Sequence, residues 1–236
     1  VNYGTLYGIG VGPGDPELLT LKAVRVLGDV DRIFAAASSK NTYSVSYDIV
    51  RPHLKDDVVV ETLSFPMTKD KDTLADAWTK NAEQVLAAMK RGENVAFLTL
   101  GDPLTYSTFG YLLKTLRKLN SDVPVEIIPG ITSYNAAAAA SETILVEAEE
   151  SLTVVSGALG GDRVRRAAHN SDTLVVLKAY RHFGDITKAL EEENMLKNAV
   201  LVSRCSMEGE QVVRDLTPEM APKYFSLVLS PGRENA

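Results

Sequence analysis

The sequence predicts an α/β fold of two α/β domains in tandem, and three observations carry that prediction. Short apolar, β-branched runs end in turns rich in Gly, Pro and Asp, stretches with helical periodicity separate them, and the runs fall into two series on either side of an alanine-rich stretch at 133–140. The 236 residues, 45% of them hydrophobic, are enough for one large or two small packed cores. The division is expected near 119–123, giving an N-terminal domain 1–120 and a C-terminal domain 121–236.

Taken in order, LYGIGV (6–11) is a strand, and Thr20 caps a helix over 20–27 whose apolar residues recur at helical spacing. RIFAAA (32–37) is a second strand. A short helix over 43–50 must end before Pro52, because proline disfavours helical geometry in its predecessor. VVVETL (58–63) is a strand, and 73–91 is the longest amphipathic helix, carrying Leu74, Ala77, Trp78, Val85, Leu86 and Met89 toward one face and stopping at Gly92. NVAFLTL (94–100) is apolar throughout and reads as a buried parallel strand. A helix is expected over Tyr106 to Leu119, then a strand over 123–128. The second series has strands at 152–157, 173–178, 199–204, 211–216 and 225–230, with helices near 162–169 and 184–193.

Composition removes several classes of function. A formal net charge of −6 argues against nucleic-acid binding, which needs clustered Lys and Arg. No apolar run reaches the roughly 20 residues of a membrane span, and the N-terminal stretch lacks the basic start and apolar core of a signal peptide, so a cytoplasmic protein without membrane partners is expected. The single cysteine, Cys205, excludes an internal disulfide and any Cys-x-x-Cys motif, and is expected to be structural, in a strand. His53, His169 and His182 are scattered without ligand spacing, so no protein metal site is expected.

Three turns at strand ends can carry chemistry, since ligands in open α/β sheets bind at the carboxyl ends of strands. The first, Gly8-Ile9-Gly10-Val11-Gly12-Pro13-Gly14-Asp15, resembles a dinucleotide fingerprint and fails it: counted from Gly8 the third glycine position is Pro13, and from Gly10 it is Asp15. The second is Leu100-Gly101-Asp102-Pro103-Leu104-Thr105-Tyr106-Ser107. Its carboxylate either is presented at the sheet edge for function or caps the following helix. In the third, Pro129-Gly130-Ile131-Thr132-Ser133, the hydroxyls either cap the alanine-rich helix or join free N–H groups in receiving a ligand.

In this order and spacing the three motifs resemble those of the tetrapyrrole methylases, a class of S-adenosylmethionine enzymes, over essentially the whole chain. Phe65-Pro66-Met67 and the run Tyr106-Ser107-Thr108-Phe109 are similar to the branch that methylates C-20 of precorrin-2 or cobalt-factor II in corrin biosynthesis. The resemblance implies two α/β domains with the active site in the cleft between them, a homodimer, S-adenosylmethionine as cosubstrate, and a tetrapyrrole that brings any cobalt with it. It implies cofactor contacts from Leu100, Gly101, Asp102, Thr105, Thr132 and Ser133, and from second-domain strand ends at Lys178, Ala179, Cys205 and Ser226.

Asp102 and Tyr106 are then the polar side chains for the reacting centre, Asp102 as a base or electrostatic partner or as a shaper of the cofactor loop. Gly12, Pro13, Arg51 and Arg181 are the substrate candidates, the cations because the carboxylates of the macrocycle need local positive charge on an acidic protein. His53, Lys178, His182 and Arg204 have the same placement near element ends, whereas Arg163-Val164-Arg165-Arg166 reads as a solvated helix face. Two rival functions are a nucleotide-dependent oxidoreductase, which the broken fingerprint disfavours, and a tetrapyrrole carrier without activity.

Overall fold

The structure, a computed structural model, describes residues 2–37, 45–66 and 68–232. The chain divides into two compact units, Val1–Thr132 and Ser133–Ala236.

In the first unit the elements run β1 (Leu6–Gly10), α1 (Leu21–Leu27), β2 (Arg32–Ala37), α2 (Val45–Val50), β3 (Val59–Ser64), α3 (Lys71–Lys90), β4 (Val95–Thr99), α4 (Phe109–Leu119) and β5 (Val125–Ile128). The strands form one sheet in the order β3-β2-β4-β1-β5, and every pairing is parallel. Helices cover both faces, which is why the central strand β4 is buried along its whole length. On one face Leu6, Phe34 and Phe97 pack against Val85 and Met89 of α3 and Phe109, Leu112 and Leu116 of α4. On the other, Ile9, Ile33, Ala96 and Leu98 pack against Ala23 and Leu27 of α1 and Ile49 and Val50 of α2. The alternation along each strand is the period-2 pattern of a pleated sheet.

Local chemistry sets the helix ends. The Thr20 hydroxyl accepts from the Ala23 N–H at 3.2 Å and starts α1, and Asp70 does the same for α3 through the Thr73 N–H, also at 3.2 Å. The helix expected over 43–50 is seen from Val45, and residues 43 and 44 lie outside the described residues.

The second unit holds α5 (Ser133–Ala140), β6 (Leu152–Ser156), α6 (Gly161–Ala168), β7 (Thr173–Leu177), α7 (Phe183–Glu192), β8 (Val200–Ser203), β9 (Gln211–Val213) and β10 (Ser226–Ser230). Its sheet has the order β6-β7-β10-β8-β9 and is mixed: β6 and β7 are parallel, while β10 runs antiparallel to β7 and β8, and β9 antiparallel to β8. Val164 and Ala168 of α6 and Phe183, Ile186 and Leu190 of α7 close over Val155, Leu174, Val176, Leu201 and Val228. Val164 is therefore core, while Arg165 beside it pairs with Asp162 and Glu192 at the surface.

The boundary after Thr132 corrects the expected division at 119–123. The strand expected at 123–128 opens the second domain in that division, but it forms β5, which pairs with β1 in register from Leu6–Val125 to Ile9–Ile128 and belongs to the first sheet.

Candidate active site

Because β4, β1 and β5 are parallel neighbours, their carboxyl ends open on one edge of the first sheet, and all three motif turns leave from that edge. Their backbones touch. The Gly101 N–H donates to the Gly12 carbonyl at 2.7 Å and the Gly12 N–H returns a bond to the Gly101 carbonyl at 3.3 Å. Gly10 and Gly130 lie so close that a Cβ on Gly130 would stand 2.2 Å from the Gly101 oxygen and 2.7 Å from the Gly10 carbonyl carbon. The glycine repeat thus serves the mutual approach of three turns. Gly8, one turn of the pattern earlier, leaves room for the Phe109 ring, which a Cβ would meet at 2.3 Å.

Gly101 differs from Gly10 and Gly130. Its φ of +73° lies in the left-handed region, and a Cβ there would find only the Ile131 oxygen, at 3.9 Å. One face of the Gly-Asp-Pro turn is therefore open while the other is closed by backbone.

Asp102 holds this arrangement. Its Oδ1 accepts from the Leu104 N–H at 2.9 Å and the Thr105 hydroxyl at 3.2 Å, and its Oδ2 accepts from the Gly130 N–H at 3.3 Å. The carboxylate ties the turn after β4 to the turn after β5, and both of its oxygens are engaged. It also takes the Gly130 N–H, one of the donors expected to be free for a ligand. Leu100 and Thr105 are half-buried in the same turn, Thr132 and Ser133 half-buried where the third turn meets α5.

At the far end of the turn after β4, the hydroxyls of Thr99 and Ser107 lie 2.8 Å apart, and Ser107 Oγ accepts from the Phe109 N–H at 3.0 Å. Tyr106 sits just before this clasp with φ +51° and 47% of its surface exposed. The helix expected from Tyr106 therefore begins at Phe109: left-handed backbone cannot continue into a right-handed helix, and Ser107 caps the first turn instead. Phe65 packs edge-on against Phe97 with ring centroids 5.9 Å apart, while Met67 of the same motif lies outside the described residues.

In the second unit the residues singled out at strand ends also share one edge, because β10 starts where its antiparallel neighbours β7 and β8 finish. The Ala179 N–H donates to the Ser226 carbonyl at 3.0 Å and the Arg204 N–H to the Phe225 carbonyl at 2.9 Å. The buried Ser226 hydroxyl donates to the Lys223 carbonyl at 2.6 Å and lies 2.7 Å from the Ser203 hydroxyl. Lys178, Arg204, Ser206 and Phe225 have φ between +53° and +66°, strain of the kind that concentrates at functional sites. Cys205 lies in the turn after β8 and not in a strand; burial pushes its thiol up to about 11, so it stays protonated and is no nucleophile at neutral pH.

The substrate candidates fall on three segments, two of them in the first unit and one in the second. Gly12 and Pro13 are buried in the first turn, and both backbone polar groups of Gly12 are used by Gly101. Arg51 is exposed on the short 3-10 turn Arg51–His53 after α2, and Arg181 is exposed beside Tyr180. Sequence reasoning missed the Thr99–Ser107 clasp, for which two hydroxyls in different elements give no pattern. It also missed the backbone packing of Gly10 on Gly130, whose sign was the glycine repeat itself.

The profile of the tetrapyrrole (corrin/porphyrin) methylases matches residues 5–221. The probable cobalt-precorrin-2 C(20)-methyltransferase of Methanocaldococcus jannaschii is 40% identical over 95% of this chain and 93% of its own length. The cobalt-precorrin-2 C(20)-methyltransferase of Salmonella typhimurium is 33% identical over 96% and 95%. The cobalamin biosynthesis protein CobIJ of Mycobacterium tuberculosis is 36% identical over 97% of this chain, which spans 46% of that relative's length. Among solved structures, the methyltransferase CobJ superposes with a TM-score of 0.75 at 20% identity, covering 97% of this chain and 94% of that one. Uroporphyrin-III C-methyl transferase from Thermus thermophilus, complexed with S-adenyl homocysteine, superposes at 0.71 with 24% identity, covering 97% and 92%. The three interlocked turns, the two-sheet fold and near-full-length identity to named relatives lead to one assignment: this chain belongs to the tetrapyrrole (corrin/porphyrin) methylase family.

Proposed function

We propose that this chain transfers the methyl group of S-adenosylmethionine to C-20 of precorrin-2 or cobalt-factor II in corrin ring synthesis. The observation that carries the reading is the match, over 95–98% of this chain and 93–97% of theirs, to relatives named for C-20 methylation. The chemistry S-adenosylmethionine supplies is a methyl group already activated on a sulfonium. Once bound, it would give that methyl to C-20 and depart as S-adenosylhomocysteine, the proton displaced from C-20 passing to solvent.

The first unit fits the cosubstrate at the Gly-Asp-Pro turn, where the space beside Gly101 would be filled by any Cβ. Leu100, Gly101, Thr105, Thr132 and Ser133 would hold it there, and Lys178, Ala179, Cys205 and Ser226 are proposed as further contacts. What the protein adds is position: well-oriented reactants can gain roughly 7–11 kcal/mol over free ones. Asp102 serves this end as the organiser of the cradle, because its oxygens already accept three hydrogen bonds. Tyr106, exposed at the mouth of the turn, is proposed to contact the macrocycle, with Gly12, Pro13, Arg51 and Arg181 as its other contacts. The active form is proposed to be a cytoplasmic homodimer, checked by sedimentation, and any cobalt belongs to the substrate.

The test is anaerobic incubation with methyl-labelled S-adenosylmethionine and either macrocycle. Label at C-20 supports the proposal, and label at another carbon or none overturns it. Asp102→Asn separates the roles of the carboxylate. Loss of a general base costs roughly 10²–10⁴ in rate with cofactor affinity intact. An organiser instead loses cofactor affinity, about tenfold, and keeps most of its turnover at saturation.

A further inference from the structure

The strand-end edge of the second unit carries an aromatic cluster of two half-buried rings and one exposed ring. Tyr180, in the turn after β7, and Tyr224, just before β10, meet edge-on with ring centroids 5.3 Å apart, and Phe225 lies 4.5 Å from Tyr224. Tyr224 is 59% exposed, an unusual position for a large ring held by two others. The Arg181 guanidinium stands 5.4 Å from the centre of the Tyr180 ring, a cation–π arrangement that fixes both groups. Lys178 and Lys223 are exposed on the same two segments and Arg204 on a third, and the hydrogen bonds from Ala179 to Ser226 and from Arg204 to Phe225 hold the three side by side.

These cations are free to bind an anion. Among the described residues Lys178, Arg181 and Lys223 pair with no carboxylate, and Arg204 spends its Nε on the Glu208 carbonyl at 2.7 Å. Of the two acids in the turn after β8, Glu208 gives its carbonyl to Arg204, and Glu210 accepts from the Ser206 N–H at 2.6 Å. On a chain with net charge −6, four exposed cations on adjoining segments beside the aromatic cluster form a local field opposite to that of the molecule.

Resting on the function proposed above, we infer that the Tyr180–Tyr224–Phe225 cluster with Arg181 and Lys223 is a docking platform for the polycarboxylate macrocycle. The rings offer flat apolar surface to a flat ligand, and the cations take its carboxylates at the rim. S-adenosylmethionine, for which Lys178, Ala179 and Ser226 are proposed contacts, carries one carboxylate where the macrocycle carries several, so the Arg181 and Lys223 cations favour the macrocycle.

The test compares the wild-type chain with Arg181→Gln/Lys223→Gln and with Tyr224→Ala, all exposed positions at which a folded protein is checked by its thermal midpoint. The expected result is a KM for precorrin-2 raised at least tenfold in the double variant, accounting for the larger share of the loss in kcat/KM. The Kd for S-adenosylmethionine by calorimetry stays within twofold, and the salt dependence of macrocycle binding flattens. Lys223→Arg in the Arg181 wild-type background restores wild-type KM. An unchanged KM overturns the inference; so does a loss of S-adenosylmethionine affinity, which makes the platform an adenosine site, or a changed oligomeric state, which makes it a protein face. If the wild-type chain methylates no macrocycle, the function proposal fails by itself. Absorbance titration with uroporphyrin III, an octacarboxylate, then decides the platform separately: binding weakened in the double variant supports it, and no difference overturns it.

Discussion

A methyl group added at Gly130 and one added at Gly101 meet opposite surroundings. At Gly130 it strikes backbone on two sides, so Gly130→Ala is expected to lose at least the roughly 1–3 kcal/mol of an overpacked site, lowering the thermal midpoint by several degrees. At Gly101 the space is open and the cost is the left-handed backbone alone, about 1–2 kcal/mol. Gly101→Ala is therefore expected to fold and to lose S-adenosylmethionine affinity at least tenfold by calorimetry, because the methyl occupies the proposed cofactor face. Equal stability losses with unchanged cofactor binding would refute the distinction. The sequence displayed both glycines, and it could not say which was steric and which open. That difference depends on three turns from distant parts of the chain meeting at one edge, as does the commitment of both Asp102 oxygens to Leu104, Thr105 and Gly130.

Where one element passes into the next, hydroxyls and ion pairs do the fastening. Ser107 links the end of β4, through Thr99, to the first turn of α4, through the Phe109 N–H. Ser107→Ala is expected to cost about 0.5–2 kcal/mol, as lost helix caps do, and to lower kcat/KM by freeing the Tyr106 turn, with Ser107→Thr restoring both. At the opposite edge of the same sheet, Arg32 at the start of β2 donates to Glu93, just before β4, at 2.7 Å and pairs with Glu61 of β3, while Arg91 donates to Glu93 at 2.6 Å. The Arg32 and Arg91 guanidiniums hold the Glu93 carboxyl down to about 2, below its ordinary 4.5. The folded-state value is the lower one, so this stabilisation is complete above about pH 4.5 and drains away as pH falls toward about 2. Glu93→Gln is expected to lower stability near neutral pH by about 1–2 kcal/mol and to flatten the acid limb of a urea-midpoint-versus-pH curve, because its charge-assisted bonds are gone. Strands were legible as apolar runs within a residue or two, except the one expected at 211–216, which ends at Val213 before the left-handed backbone of Asp215. The start of α4 was not, because the left-handed turn at Tyr106 interrupts a sequence that is otherwise good helix.

Each unit has its own core, and the buried clusters of one share no residue with those of the other. The single tryptophan, Trp78 on α3, stacks on Tyr111 of α4 at 4.5 Å and so reports on the first unit. Leu174→Ala in the second core is expected to cost about 2–5 kcal/mol. The loss should appear as an earlier transition in far-ultraviolet circular dichroism with the Trp78 fluorescence transition unmoved, and a joint shift of both would show a single cooperative unit. Two strand series could be counted from the sequence, but their border could not, because partner choice in a sheet is long-range: β5 follows a helix and precedes a helix, and only its pairing with β1 assigns it. The same property gives the two units different histories during synthesis. The first sheet has all its strands once residue 128 has left the ribosome, whereas the second is built around β10, which sits between β7 and β8 and is the last strand to be made. At ~5–20 residues per second the nascent chain carries a finished first unit and an unclosed second one for roughly 5–20 s. Through that interval the facing edges of β7 and β8 wait unpaired for Ser226–Ser230, so stalled or truncated translation products would be exposed to aggregation through that half alone.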